Sequence, residues 1–433
     1  MNINNFNKTY SNTFQPHPLQ NNSQEYYLYK KYVSIHSEDR DILAYPNSSE
    51  FEIELPEDII NISTMKLTDW SFPSNYNTFS VLNKNITMYF KINNPYNPSL
   101  NGDVNSLRIS IYNALVNYLS IPLIPGNYKT NGIFQINIEE GFYNPTEFVT
   151  ELTNKFNEAV TKVITNFLVT NSLIMELEQF KNLNGYNRFV IVYNNVSQKV
   201  WFGNRCDGFE LLNEIVFENS LGNDNDIYFC KRNQLPDLAS WGLPSNIGLS
   251  RENVVSNEPI DLSYNYIRFY YGNVIDNDNG YWLLPETDPI TGNNLPGAIV
   301  QFIECPYKIN IFGPSYIYME VFKYNMIDET EPYNINSFTL TTNETNGIVN
   351  SAFAKIPIVS TPLTQYYDGP SDTYKFFNPP IERIRRLKFK FRYHNGCLVD
   401  FSTFPFTFTI EFTILLPMIN RAVKLVNNVF NNI

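Results

Sequence analysis

Between Glu50 and Leu55 the chain alternates strictly, with Phe51, Ile53 and Leu55 set against Glu50, Glu52 and Glu54. Period two is the mark of a strand with one face in water and one in a core. Pro56, which has no N–H to give a ladder, is the expected end of that strand. The next run, ISTMKLTDWSFP, and the run from Asn83 to Ile92 also read as strands. The same rhythm returns near the C-terminus. In RRLKFKFRY, Leu387, Phe389, Phe391 and Tyr393 share a face, and Arg386, Lys388, Lys390 and Arg392 share the other. After the Asn395-Gly396 turn, Phe406, Phe408, Ile410, Phe412 and Ile414 alternate with Thr407, Thr409, Glu411 and Thr413. RFVIVYNNVSQKVWFG reads as a hairpin turning near Asn194-Asn195, and YNYIRFYYG, AIVQFIE, YIYMEVFKY and SFTLTT are further strand candidates.

One segment follows the helical period. Asn144-Pro145-Thr146-Glu147 supplies an N-cap, a first-turn proline and an acidic N3 residue. Phe148, Leu152, Phe156, Val160 and Ile164 then recur every fourth residue, predicting a helix near 145–167 with its stripe on a sheet. LRISIYNALV is ambiguous between strand and short helix. At the very end, Ile419, Ala422, Val423, Val426, Val429, Phe430 and Ile433 fall on one helical face, a short amphipathic helix. Many short strands broken by turns, with no βαβ rhythm, predict an all-β fold of one or two jelly-roll sandwiches. If there is a single roll, strands 51–55 and 406–416 should pair. The expected division is a flexible arm at 1–30, a β-rich region with the helix at 31–218, a second β-rich region at 219–417, and the tail at 418–433.

Composition narrows the function. Aromatics make up 15% of the 433 residues, with 30 Tyr and 33 Phe, which suits half-buried pleated surfaces. A net charge of −12 disfavours nucleic acid as a partner. The N-terminus lacks a charged region followed by an apolar run, so no signal peptide is expected. No stretch of about 18 apolar residues predicts a membrane span. Cys206, Cys230, Cys305 and Cys397 form no CxxC pair and read as reduced thiols, although spacing does not exclude a bridge. His17, His36 and His394 are too scattered for a zinc motif. Neither a Gly-x-Ser-x-Gly elbow nor a phosphate loop occurs. The chain therefore reads as non-enzymatic, without catalytic residues, metal or cofactor.

Two charged features have paired readings. Asp39-Arg40-Asp41 is either an ion site or a salt-bridged turn anchoring a strand, and two carboxylates alone make a poor calcium site. The basic stripe Arg383, Arg385, Arg386, Lys388, Lys390 and Arg392 either meets an acidic partner or lipid headgroups, or marks a solvent-facing edge strand protected by charge. The tail residues Ile419, Val423, Val426, Val429 and Phe430 either close their own sandwich or insert into a neighbour or a membrane surface.

The segment HSEDRDILAYPNSSEFEIELPEDIINISTMKLTDWSFP resembles one in capsid-associated proteins of nucleocytoplasmic large DNA viruses. The likeness rests on an Arg-Asp knot at Arg40-Asp41, a turn at Tyr45-Pro46-Asn47, a strand from Phe51 to Pro56, and a second from Lys66 to Pro73. IPGNYKTNGIF with NPTEFVTELTNKFN is similar to a second block, and FAKIPI (353–358) and RLKFKFRYHNGCLVDF (386–401) to closing blocks. The resemblance implies a minor capsid or penton-type protein in the shell of a virion assembled in the host cytoplasm. It would lie under or between capsomers near an internal membrane. Its partners would be the major capsid protein, other minor capsid proteins, further copies of itself and the inner membrane surface. Three other readings stay open: a major capsid protein with a double jelly roll, a surface fibre binding host glycan through aromatics such as Tyr281 and Trp282, and a hydrolase using His36 or His394.

Overall fold

The computed structural model describes residues 26–74, 77–81, 83–122, 132–220, 241–259, 267–269, 281–289, 291–330, 349–358, 364–368, 374–394, 396 and 398–417. The chain opens with β1 (Tyr26–His36) and the long β2 (Glu50–Ser74). It then builds β3 (Thr87–Asn94), α1 (Ser106–Ser120), β4 (Ile133–Asn137), α2 (Pro145–Thr170) and α3 (Ile174–Asn182). Next come β5 (Phe189–Asn194), β6 (Lys199–Asn204), β7 (Gly208–Leu211), α4 (Asn213–Ser220) and α5 (Leu243–Ile247). Four short strands follow: β8 (Val254–Val255), β9 (Ile267–Phe269), β10 (Tyr281–Leu283) and β11 (Gln301–Glu304). The chain ends with β12 (Tyr316–Val321), β13 (Ile327–Thr330), β14 (Val349–Ala352), β15 (Ala354–Pro357), β16 (Thr364–Asp368), β17 (Lys375–Arg392) and β18 (Thr407–Pro417).

Two units result. Unit 1 takes the chain up to Tyr76 and most of it after Pro314, and unit 2 is built on Asn77–Gly313. The boundary expected at 218/219 is thus replaced by an insertion, because β2 finds its long partner strands only near the end of the chain. Unit 1 holds a two-stranded sheet of β13 and β14 and a large antiparallel sheet in the order β1-β18-β2-β17-β12-β15, with β16 also paired to β2. Its apolar face collects Phe51, Phe72, Phe389, Phe391, Phe406 and Phe408. Rings approach to 5.4 Å between Phe72 and Phe391 and 5.0 Å between Phe389 and Phe408. Burying one such ring stabilises by about 1.5–3 kcal/mol.

The alternations around Phe389 and Phe408 predict these strands correctly, and four details of unit 1 differ. Tyr26–Lys30, expected within the arm, are strand, because β1 pairs along its whole length with β18, from Tyr26↔Pro417 to His36↔Thr407. Pro56 does not end its strand. Glu54 pairs with Arg386 and Ile59 with Ile384, so Pro56 falls in a bulge where no ladder bond is asked of it. Residues 51–55 pair with β17 (Phe51↔Phe389), and β18 pairs further along β2, from Ser71 to Ile62. Glu411 and Thr413, expected in water, are buried.

Unit 2 departs from an all-β class. α2 forms as its cap and stripe dictate: Asn144 Oδ1 accepts from Glu147 N at 2.9 Å and Glu147 Oε2 accepts from Asn144 N at 3.2 Å. Phe148, Leu152, Phe156, Val160, Ile164 and Leu168 are buried along it. α1 and α3 are additional helices. Leu107, Ile111, Ala114 and Leu115 bury one face of α1, and its N-cap Asn105 accepts from Arg108 N at 3.2 Å. The helices share one core with the sheets β4-β3-β7-β8 and β11-β6-β5. Phe156 lies at its centre, 4.3 Å from the Phe90 ring and 5.2 Å from Phe189. The hairpin of β5 and β6 is as expected. The tail with Ile419, Val423, Val426, Val429 and Phe430, the Asn395 turn position and the SFTLTT strand candidate lie outside the described residues.

Candidate assembly surface

The basic stripe of β17 meets its acidic complement within the same sheet. β2 carries Glu50, Glu52 and Glu54 on the matching face, and the register sets Lys388 opposite Glu52 and Arg386 opposite Glu54. Lys388 Nζ reaches Glu50 at 2.6 Å, Arg385 reaches Glu54 at 2.6 Å, and Arg383 reaches Asp58 at 2.6 Å. Arg386 bridges Glu54 at 3.4 Å and Glu52 at 3.8 Å. The hydrogen bond and charge of Arg385 hold the Glu54 carboxyl below its usual range. β17 is not an edge strand, since β2 flanks it on one side and β12 on the other. Lys390 lies between Glu50 of β2 and Glu320 of β12 in the register. Exposed pairs of this kind add little net stability and cancel charge across the two strands, while the register is held by the buried apolar face.

Arg392, read as the last member of that exposed stripe, is instead buried. Its guanidinium hydrogen-bonds Glu320 and Glu329 and sits 5.3 Å from the Tyr318 ring centroid. His394 Nδ1 lies 3.0 Å from Glu329 Oε1. Burial works to raise the Glu329 carboxyl, and the bonds from Arg392 and His394 outweigh it, so the group titrates below its usual range. Glu329 is held by the Arg392 guanidinium and the His394 ring and is poorly placed to act as a base. His36 is elsewhere, at the end of β1 opposite Thr407. Among the described residues, no three His, Cys, Asp or Glu side chains come together as a metal site.

The Asp39-Arg40-Asp41 knot anchors a turn through hydrogen bonds to the backbone. Arg40 donates to the carbonyls of Ser37 (2.5 Å), Tyr45 (3.0 Å) and Pro46 (3.3 Å), and Asp41 Oδ1 accepts from Leu43 N and Ala44 N. Cys206 and Cys305 are free buried thiols, raised in pKa by that burial, and Cys230 and Cys397 lie outside the described residues. The side chains of Tyr281 and Trp282 also lie outside them.

Unit 2 contains a polar node that no local pattern announces. Asp207, fully buried, accepts from Tyr96 N at 2.7 Å, Tyr186 Oη at 2.7 Å and Arg188 Nη1 at 2.9 Å. Asn204 Oδ1 accepts from Cys206 N and Asp207 N, and its amide donates to Tyr186 Oη at 2.9 Å. Each of these partners lies within unit 2 and the node is closed to solvent, so it braces the fold. Arg108 is a second clamp, reaching Asp103 at 2.6 Å and Asp288 at 2.7 Å.

Exposed apolar side chains occur at several places among the described residues, and a run of them lies at the outer end of the β1–β18 ribbon. Val33 and Ile35 face the core, whereas Tyr26, Tyr27, Leu28, Tyr29 and Tyr32 are 50%, 47%, 63%, 50% and 56% exposed. Apolar side chains therefore stand in water on both faces of one strand. Its cations are balanced: Lys30 pairs with Glu411 at 2.9 Å, and Lys31 with Glu57. The Asn-rich stretch just before Tyr26 masks this strand in the sequence, although YYLYKKYV itself has the aromatic and β-branched content of one.

No family model and no curated protein matches this sequence. Among solved structures the chain is similar to the mavirus penton protein, at 8% identity and TM-score 0.35, covering 90% of this chain and 99% of that one. It is also similar to a chain of the Sputnik virophage, solved by cryo-EM, at 12% identity and TM-score 0.36, covering 89% of this chain and 98% of that one. At such TM-scores neither likeness carries functional weight.

Proposed function

We propose that this chain is a structural subunit of the icosahedral shell of a large DNA virus, a minor capsid or penton-type protein that bridges capsomers without catalysis. Unit 1 is its jelly-roll framework. One observation supports the reading: three of the four segments that resemble capsid-associated proteins meet in unit 1, and the fourth, at 124–134 and 144–157, belongs to unit 2, where it contributes to β4 and α2. In unit 1 the first segment supplies β2, Phe353 with β15 the second, and the later half of β17 the third. The turn block and the closing block are joined directly, as Ser49 Oγ donates to Val399 O and Phe391 N donates to Ser49 O at 2.7 Å. The resembling residues of unit 1 thus make a mechanical framework, on which Arg383, Arg385, Arg386 and Lys388 pair with carboxylates of β2. Its partners are the major capsid protein and other minor capsid proteins, with the tail at 418–433 as a further contact to a neighbour or to the inner membrane surface. Cross-linking mass spectrometry on purified virions tests this. Cross-links from Lys30, Lys31 or Lys424 to the major capsid protein are the expected result. Their absence, with the chain stripped from particles by mild external protease, would refute a shell position and favour a surface fibre.

A further inference from the structure

We infer that β1 is the docking edge for a second copy of this chain, the two β1 strands pairing antiparallel about a two-fold axis at Tyr29. The inference does not depend on the shell reading, since it rests on the strand alone.

β1 is an edge of eleven residues, and among the described residues only β18 pairs with it. An open edge of that length presents a row of unmet backbone donors and acceptors. The chain closes such an edge elsewhere. In unit 2 the free side of β5 is met by α2. Asn157 accepts from Phe189 N at 3.0 Å and donates to Phe189 O at 2.9 Å, and Thr153 Oγ1 accepts from Ile191 N at 3.1 Å. The opposite edge of the unit 1 sheet is β15, four residues long and ending in proline. β1 is long, has no proline, and carries the exposed side chains of Tyr26, Tyr27, Leu28, Tyr29 and Tyr32.

The sequence of the strand selects the register. A two-fold axis normal to an antiparallel pair sets one residue opposite itself, because facing residues must share a side of the sheet. An axis at Lys30 or Lys31 sets lysine against lysine. One at Leu28 leaves Tyr32 unpaired, and one at Tyr32 leaves Tyr26 and Tyr27 outside. With the axis at Tyr29, Tyr26 meets Tyr32 of the second copy, Tyr27 meets Lys31, Leu28 meets Lys30 and Tyr29 meets its own mate. All five exposed apolar side chains are then covered, aromatic pairs form, and each lysine stem lies along an apolar neighbour or a ring. The intramolecular partners Glu411 and Glu57 keep the two lysines from charging the interface.

The test uses the full chain at micromolar concentrations, with mass read by sedimentation velocity and native mass spectrometry. The wild type should dimerise. Tyr29→Lys and Tyr29→Glu each place like charges on the axis and should weaken dimerisation at least tenfold, with circular dichroism unchanged because the side chain is half exposed. An equimolar mixture of the two variants should recover dimers holding one copy of each. A monomeric wild type, meaning that the edge is covered by the chain's own ends or by nothing, would overturn the inference. So would variants that dimerise like the wild type, or a mixture that stays monomeric. Should a variant misfold, hydrogen exchange on the wild type decides: amides of residues 26–32 must gain protection as concentration rises, and constant exchange overturns the pairing.

Discussion

Replacing Asp207 with alanine removes three things at once: the counter-charge of Arg188, the acceptor for Tyr186 Oη, and the acceptor for Tyr96 N. Asp207 is 0% exposed and Arg188 6%, so water cannot take the vacated place without rearrangement. Breaking one side of a buried ion pair costs about 3–5 kcal/mol. A domain has roughly 5–15 kcal/mol in all. At a urea slope of about 2 kcal/mol/M, a loss of about 4 kcal/mol moves the midpoint down by about 2 M. Asp207→Asn keeps an acceptor but loses the charge, and should cost about 1.5–3 kcal/mol. The assay is urea unfolding followed by amide exchange, with peptides from 186–211 reporting unit 2 and peptides from 386–414 reporting unit 1. A midpoint lowered by less than about 0.5 M in the alanine variant would refute the bracing role, as would loosening confined to unit 1.

Removing the cap of α2 by Asn144→Ala should cost about 1 kcal/mol, read as a lower urea midpoint with raised exchange at 145–150. Phe408→Asp or Phe412→Asp puts a carboxylate into the unit 1 core and should yield no soluble, native-like protein; a folded variant by circular dichroism would contradict the strand assignment. Glu329 and Glu411 both titrate below their ordinary value of 4.5 in the folded chain. Their contribution to stability is therefore complete above that value and is lost as pH falls through the lower folded values. Thermal melts of unit 1 should be flat in pH just above about 5 and drop below about 4, less so in a Glu329→Gln, Glu411→Gln double variant.

Local chemistry made part of this fold legible. The cap at Asn144 and the four-residue spacing from Phe148 to Ile164 define α2. The alternation of Leu387, Phe389 and Phe391 defines β17 by its buried face, and that of Phe408, Ile410 and Phe412 defines β18 in the same way. α1 is hidden because Ile109, Ile111, Tyr112 and Val116 favour strands, and its helical spacing shows only once the core contacts of Leu107, Ile111 and Leu115 are known. The acidic face of β2 and the basic face of β17 are each plain in the sequence, but nothing local says that they meet. The same holds for the node at Asp207, which brings Tyr96, 111 residues away in the chain, together with Tyr186 and Arg188 from just ahead of β5. Arg392 shows the limit of periodicity most clearly: alternation sets it with the exposed stripe, and the carboxylates of Glu320 and Glu329 draw it inside.

The insertion of unit 2 between β2 and its partners has a consequence for biosynthesis. Ser49 and Val399, which bond in the finished sheet, are 350 residues apart. Closing an unstructured loop of that length costs roughly 5 kcal/mol from the logarithmic length term alone. A ribosome releases β2 early and its partner strands β17 and β18 last, so β2 must wait through the synthesis of all of unit 2. The main span of unit 2 is continuous in the chain and can form its core in the meantime, which shortens the distance that unit 1 has to close. Until then β2 is a long strand with one apolar face and two open edges, the species a chaperone would hold. A chain halted near residue 330 should accordingly show protected amides across α2 and β5 while remaining aggregation-prone through β2, and a soluble, monomeric product of that length would argue that β2 finds another partner first.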